Sequence, residues 1–198
     1  MPNSNVVSRF VGANSPAQGA TVIPSLLLTT NTETLFTNQS GGVAVIAPQP
    51  VGQLAAATTA PSFGSGFDGF AMKVRATFKV SNTVASSTAI INMYANQVGT
   101  TITSGNKIAS VTSQSLSGTG SANGFLEATL VWDSVSQVLS GLQSGAFGTG
   151  SAVSAVALTN TAISIPALAN LNFSLTATCG TTGKSVTFAV TEFVVETV

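Results

Sequence analysis

Along much of this chain apolar and polar residues alternate with a period of two, the pattern of strands that bury one face. The clearest run is Phe70–Val80. Phe70, Met72, Val74, Ala76, Phe78 and Val80 fall on one face, and Lys73, Arg75, Thr77 and Lys79 on the other. After a polar turn over residues 81–87, Thr88–Tyr94 sets Ala89, Ile91 and Met93 against Ile90, Asn92 and Tyr94. Lys107–Leu116 alternates again. In Phe125–Asp133, Leu126, Ala128, Leu130 and Trp132 oppose Phe125, Glu127, Thr129, Val131 and Asp133. Residues 135–142 fit either a strand or a helical turn, and 144–150 read as a flexible glycine-bearing loop. Short strands are predicted at 152–158 and 161–165, and strong ones at Leu171–Cys179 and Ser185–Val195. Gly180-Thr181-Thr182-Gly183 reads as the hairpin turn joining the last two. In the final run Glu192 occupies a position in phase with Val186, Phe188 and Val190, which hints at a bulge or an interface there. No window shows a sustained 3.6-residue period.

The N-terminal portion has a different texture. Six of the seven prolines lie in the first 61 residues, and proline resists central strand positions because it lacks a donor. Residues 1–60 therefore read as an extended proline-rich arm. A hairpin over about 33–46 is signalled by the glycine-rich turn at 38–42. Residues 67–198 form the body. Roughly eight to ten strands with long excursions between them predict an all-β, jelly-roll or Greek-key β-sandwich.

Composition restricts the chemistry. Only 6% of the 198 residues are charged, against roughly 25% in typical domains. Six Lys/Arg balance six Asp/Glu, and there is no histidine. Without histidine the commonest general base is missing, and a Ser-His-Asp or Cys-His nucleophile system cannot be built. No metal site based on His or on several Cys can form. Glu127 and Asp133 share a strand face but stand about 20 Å apart, too far for paired carboxylates. Glu127 with Glu192 across strands stays open. The glycines follow no phosphate-cradling motif and read as turn residues. The expectation is a protein that is not an enzyme, with no catalytic residues, no metal and no cofactor. Zero net charge removes the repulsion that keeps free proteins apart, which suits a subunit packed against neighbours.

Lys73, Arg75 and Lys79 on one strand face form a candidate interface, with Glu192 as a further charge. The plainer alternative is the solvated face of an edge strand, where lysine discourages stray pairing. With no other basic cluster, nucleic acid is not an expected partner. Trp132, the single tryptophan, is expected in the core near a strand end, with a glycan-stacking platform as the lesser alternative. Cys179 lies in an alternating run and reads as a buried small apolar residue. No secretion signal and no run of ~20 apolar residues is visible, so synthesis in a cytoplasm and no membrane association are expected. The sequons at Asn38 and Asn172 are then chance.

Phe70–Val80, Gly124–Asp133 and Leu171–Cys179, with the partner run ending Val190-Thr191-Glu192-Phe193, resemble strands of tailed-bacteriophage jelly-roll virion proteins. The likeness covers about 67–198 and is one of strand phrasing. It implies a capsid decoration or cement protein on the outer capsid surface, bound to the major capsid protein and to itself as a homotrimer. It implies an arm reaching across neighbouring subunits, and location on a virion assembled in the host cytoplasm. The alternatives are a tail, fibre or host-glycan recognition module, and an extracellular carbohydrate-binding β-sandwich.

Overall fold

The computed structural model describes residues 5–11, 25–36, 49–53, 71–82, 87–96, 104–116, 120–133, 137–149, 152–164, 170–181 and 184–197. Their strands are β1 (Asn5–Val11), β2 (Ser25–Leu28), β3 (Thr34–Leu35), β4 (Gln49–Gln53), β5 (Ala71–Asn82) and β6 (Ala89–Asn96). They continue with β7 (Lys107–Thr112), β8 (Ser121–Asp133), β9 (Val138–Thr149), β10 (Ala152–Ser164), β11 (Asn170–Cys179) and β12 (Val186–Thr197). Two antiparallel sheets result. A seven-stranded sheet runs β1-β12-β5-β8-β9-β10, with β2 beside β12 next to β1's place on the same edge. A five-stranded sheet runs β3-β11-β6-β7, with β4 also on β11. The chain passes between sheets after β2, β4, β5, β7, β10 and β11, the crossing pattern of a jelly-roll sandwich.

The period-2 faces meet between the sheets. The seven-stranded sheet contributes Met72, Val74, Ala76, Phe78 and Val80 from β5 and Leu126, Ala128, Leu130 and Trp132 from β8. The five-stranded sheet contributes Ala89, Ile91, Met93 and Ala95 from β6 and Phe173, Leu175, Ala177 and Cys179 from β11. Each large side chain removed from water in this layer stabilises by about 1.5–3 kcal/mol. Phe78 and Phe147 add a tilted ring pair with centroids 5.1 Å apart. Cys179 is buried as expected, its thiol 3.2 Å from Ser87 Oγ and donating to the Thr181 carbonyl at 3.1 Å.

The bulge hinted at by Glu192 is present. The register of β12 against β5 slips between Val190 and Glu192, leaving Thr191 as the extra residue. Upstream of it Val186, Phe188 and Val190 are buried; downstream Phe193 and Val195 are. The slip therefore keeps both halves of the strand in the core and turns Glu192 outward. Thr191 Oγ1 donates to the Thr77 carbonyl at 3.0 Å and sits 2.8 Å from Thr77 Oγ1, which ties the slipped residue to β5.

Several local expectations change. Residues 144–150 were expected as a loop, but β9 runs on to Thr149 between β8 and β10. The segments 152–158 and 161–165 are largely one strand, β10, interrupted by a register slip between Val156 and Thr159. The expected hairpin between β11 and β12 is absent, because the two strands belong to different sheets and residues 180–183 carry the chain between them. The expected hairpin over 33–46 differs as well: β3 pairs with β11, and 37–46 lie outside the described residues. Within residues 1–60, β1 and β2 pair with β12 while β3 and β4 pair with β11. These parts of the expected arm are built into the sandwich of their own chain, because each completes an otherwise open edge.

Candidate functional site

Strand β5 is central, flanked by β12 and β8, so Lys73, Arg75 and Lys79 do not guard an edge. They stand on the outward face of the seven-stranded sheet. Register places Lys73 between Glu196 and Thr129, and Arg75 between Val194 and Glu127. The side chains reach diagonally. Lys73 Nζ lies 3.1 Å from Glu127 Oε2, and Arg75 Nη2 lies 3.2 Å from Glu192 Oε2. Lys79 is exposed at the far end of the row. The sequence thus brought Lys73, Arg75 and Glu192 to one face, and the bulge at Thr191 aims Glu192 at Arg75. Half-exposed pairs of this kind contribute about 0.2–1 kcal/mol each. Glu127 and Glu192 sit on opposite sides of β5, about 10 Å apart by strand spacing, and each is taken by a cation. They do not form an acid–base couple.

Beside this charged row the same sheet face exposes three large apolar side chains among Thr129, Ser140 and Ser144. Phe125 and Val131 on β8 are 40% and 37% exposed, and Leu142 on β9 is 54% exposed. Leu142 stands in register with Thr129, two residues from Val131's partner Ser140 and so on the same face. No Asp, Glu, Lys or Arg occurs between Asp133 and Lys184, so β9 and β10 are without charge. Sequence reading had assigned Phe125 and Val131 to the outer face of their strand without marking them as a surface. Leu142 escaped it because residues 135–142 had no settled phase.

Trp132 is 1% exposed and belongs to the core, so its ring offers no face for a sugar. That removes the glycan-stacking alternative at this residue, because the even phase of β8 points between the sheets.

A second polar cluster lies on the outer face of the five-stranded sheet. Glu33, just before β3, places Oε1 within 2.7 Å of Asn92 Nδ2 and 2.7 Å of Tyr94 Oη, and it also accepts from Thr176 Oγ1. Asn92 Oδ1 in turn accepts from Ser110 Oγ at 2.6 Å. Burial alone would raise the Glu33 pKa. The hydrogen bonds from Thr176, Tyr94 and Asn92, with the charge of Lys107, outweigh it and hold the carboxyl below its ordinary value. Burial, then the hydrogen bond and charge of Glu33, push the Tyr94 hydroxyl well up. The cluster is a charged acceptor ringed by neutral donors. It fastens the segment before β3 to the sheet and is not arranged to move a proton. Among the described residues no group of three or more His, Cys, Asp or Glu gathers as a metal site, and no helix is long and apolar enough to cross a membrane.

No family model matches the sequence, and no curated protein matches it. Among solved structures the chain is similar to winged bean acidic lectin complexed with methyl-α-D-galactose. The identity is 10%, the coverage 96% of this chain and 97% of that one, and the TM-score 0.38. Arcelin-5, a lectin-like defence protein from Phaseolus vulgaris, gives 10% identity, 96% coverage of both chains and a TM-score of 0.38. The CBM2 module of the evolved Dit of Lactobacillus casei BL23 phage J-1 gives 11%, 98% and 95% coverage, and 0.35. At these values the fold class rests on the chain's own two sheets, and no ligand or partner is carried across.

Proposed function

We propose that this chain is a non-catalytic virion subunit that docks on the outer surface of the major capsid protein and stabilises the head. The observation that carries the proposal is the outward face of the seven-stranded sheet. Exposed Phe125, Val131 and Leu142 lie there beside charges that already neutralise one another. Such a face gains little from long-range steering and much from being covered. Covering half-exposed side chains of this size contributes about 1 kcal/mol each. That is weak singly but large when several copies bind one particle. The zero net charge and the strand-level resemblance to phage virion proteins support the same reading.

The test uses undecorated particles. Adding the purified protein is expected to raise the temperature at which the heads lose their DNA. The Phe125→Lys, Leu142→Lys double variant is expected to stay folded and leave that temperature unchanged. No protection by the unaltered protein, or immunogold label confined to tails, overturns the proposal.

A further inference from the structure

Three of the four sheet edges carry features that discourage another strand from adding. The outer edge of β12 is divided between two short strands, and the seven-residue β1 contains Arg9 and a register slip between Val6 and Ser8. The outer edge of β11 is likewise divided, between the two-residue β3 and the five-residue β4, and β4 contains Pro50. The edge strand β7 is six residues long and opens with Lys107; its Ser110 amide is taken by Gln143 Oε1 at 2.8 Å. Short length, charge, proline, bulges and covering groups are the means by which natural sheets keep their edges from pairing.

The fourth edge, β10, differs. At 13 residues it equals β8 as the longest strand, and Ala152–Ser164 contains neither a charged residue nor a proline. Among the described residues it pairs with β9 alone. Its single irregularity, between Val156 and Thr159, leaves the continuous run Thr159–Ser164 in register with Gln143–Val138.

We propose that β10 pairs antiparallel with β10 of a second copy about a two-fold axis, joining two seven-stranded sheets into one. The absence of charge selects the occupant. In a strand self-paired about a two-fold, a charged residue close to the axis would stand near its own copy, where like charges repel. A strand meant for a foreign acidic or basic segment would instead carry the opposite charge. A second β10 also continues the antiparallel order of the sheet, and zero net charge puts no long-range repulsion between copies. A two-fold centred on Thr161 sets each copy's Asn160 opposite the other's Ala162. These two positions stand in register with Leu142 and Ser140 of β9. This association is two-fold, unlike the three-fold one that the phage resemblance implies.

Sedimentation equilibrium of the full chain is expected to give twice the 19.8 kDa chain mass. The Asn160→Lys, Ala162→Lys variant is expected to give the single-chain mass with an unchanged circular dichroism spectrum. Mixing it with the Asn160→Glu, Ala162→Glu variant is expected to restore the doubled mass. Amide exchange supplies a readout that needs no variant: β10 protection should fall on dilution while that of β5 and β8 holds. A single-chain or threefold mass for the unaltered protein, a doubled mass in the lysine variant, or β10 protection independent of concentration overturns the inference. The inference stands apart from the capsid proposal. A doubled mass without protection of particles keeps the pairing and removes the capsid role.

Discussion

Glu33 shows how a single carboxylate sets a local structure. Three donors from two strands converge on one oxygen, and each hydrogen bond to a charged acceptor is worth about 1.5–3 kcal/mol. Tyr94→Phe keeps the ring and removes one donor. It is expected to lower the unfolding free energy by about 1.5–3 kcal/mol in a urea titration. The pH dependence has a definite sign. The folded pKa of Glu33 lies below the ordinary 4.5, so the unfolded chain takes up the proton first. The stabilisation from Glu33 is therefore complete above about pH 4.5 and drains as pH falls through the lowered folded value. The stability gap between the unaltered protein and Glu33→Gln should narrow over that window; a gap constant with pH would refute the assignment. The sequence exposed only part of this cluster. Asn92 and Tyr94 were visible on one strand face, but Glu33 was one of six acidic residues and Thr176 one of many threonines. Their meeting depends on β6 and β11 being neighbours, which no local pattern reveals.

Strands were legible where one face was clearly apolar. The run through β5, and that through β8, needed nothing beyond period-2 alternation, and the breach of phase at Glu192 located the bulge. Glycine misled in two ways. Around 180–183 it marked the break between β11 and β12, yet turn chemistry says nothing of which sheet receives the next strand. In β9 it marked close approach between strands instead of a loop. A Cβ added at Gly141 would fall 1.9 Å from the Thr129 carbonyl oxygen, on backbone that cannot swing aside. Gly141→Ala is therefore expected to destabilise by about 1–3 kcal/mol or more in thermal or urea unfolding. Unchanged stability would mean that β8 and β9 are spaced more widely than described here. In the proline-rich stretch the described residues include strands as well. Proline bars central strand positions but tolerates edges, and β4, with Pro50, is an edge strand.

On the scale of the molecule, charge is concentrated and apolar surface is left beside it. The charged row on β12, β5 and β8 contains three cations and three carboxylates, Lys73, Arg75 and Lys79 against Glu127, Glu192 and Glu196. Under the proposed docking role, Phe125, Val131 and Leu142 supply the area a partner would cover. Particle attachment through this face should consequently change little with added salt, since exposed and already paired charges gain little from a partner. Near-neutral composition was readable from the sequence and pointed toward assembly. Which surface the proposed docking uses was not, because that depends on the order of strands.

That order has one further consequence, for biosynthesis. The two strands with the most partners are the last two in the sequence. β12 holds β1, β2 and β5, and β11 holds β3, β4 and β6. Among the described residues β1, β2, β3 and β4 have their partners only in β11 and β12, so they wait unpaired until those two strands have been synthesised. Closure of this sandwich therefore awaits the synthesis of β11 and β12, and until then the earlier strands are a natural client for a chaperone.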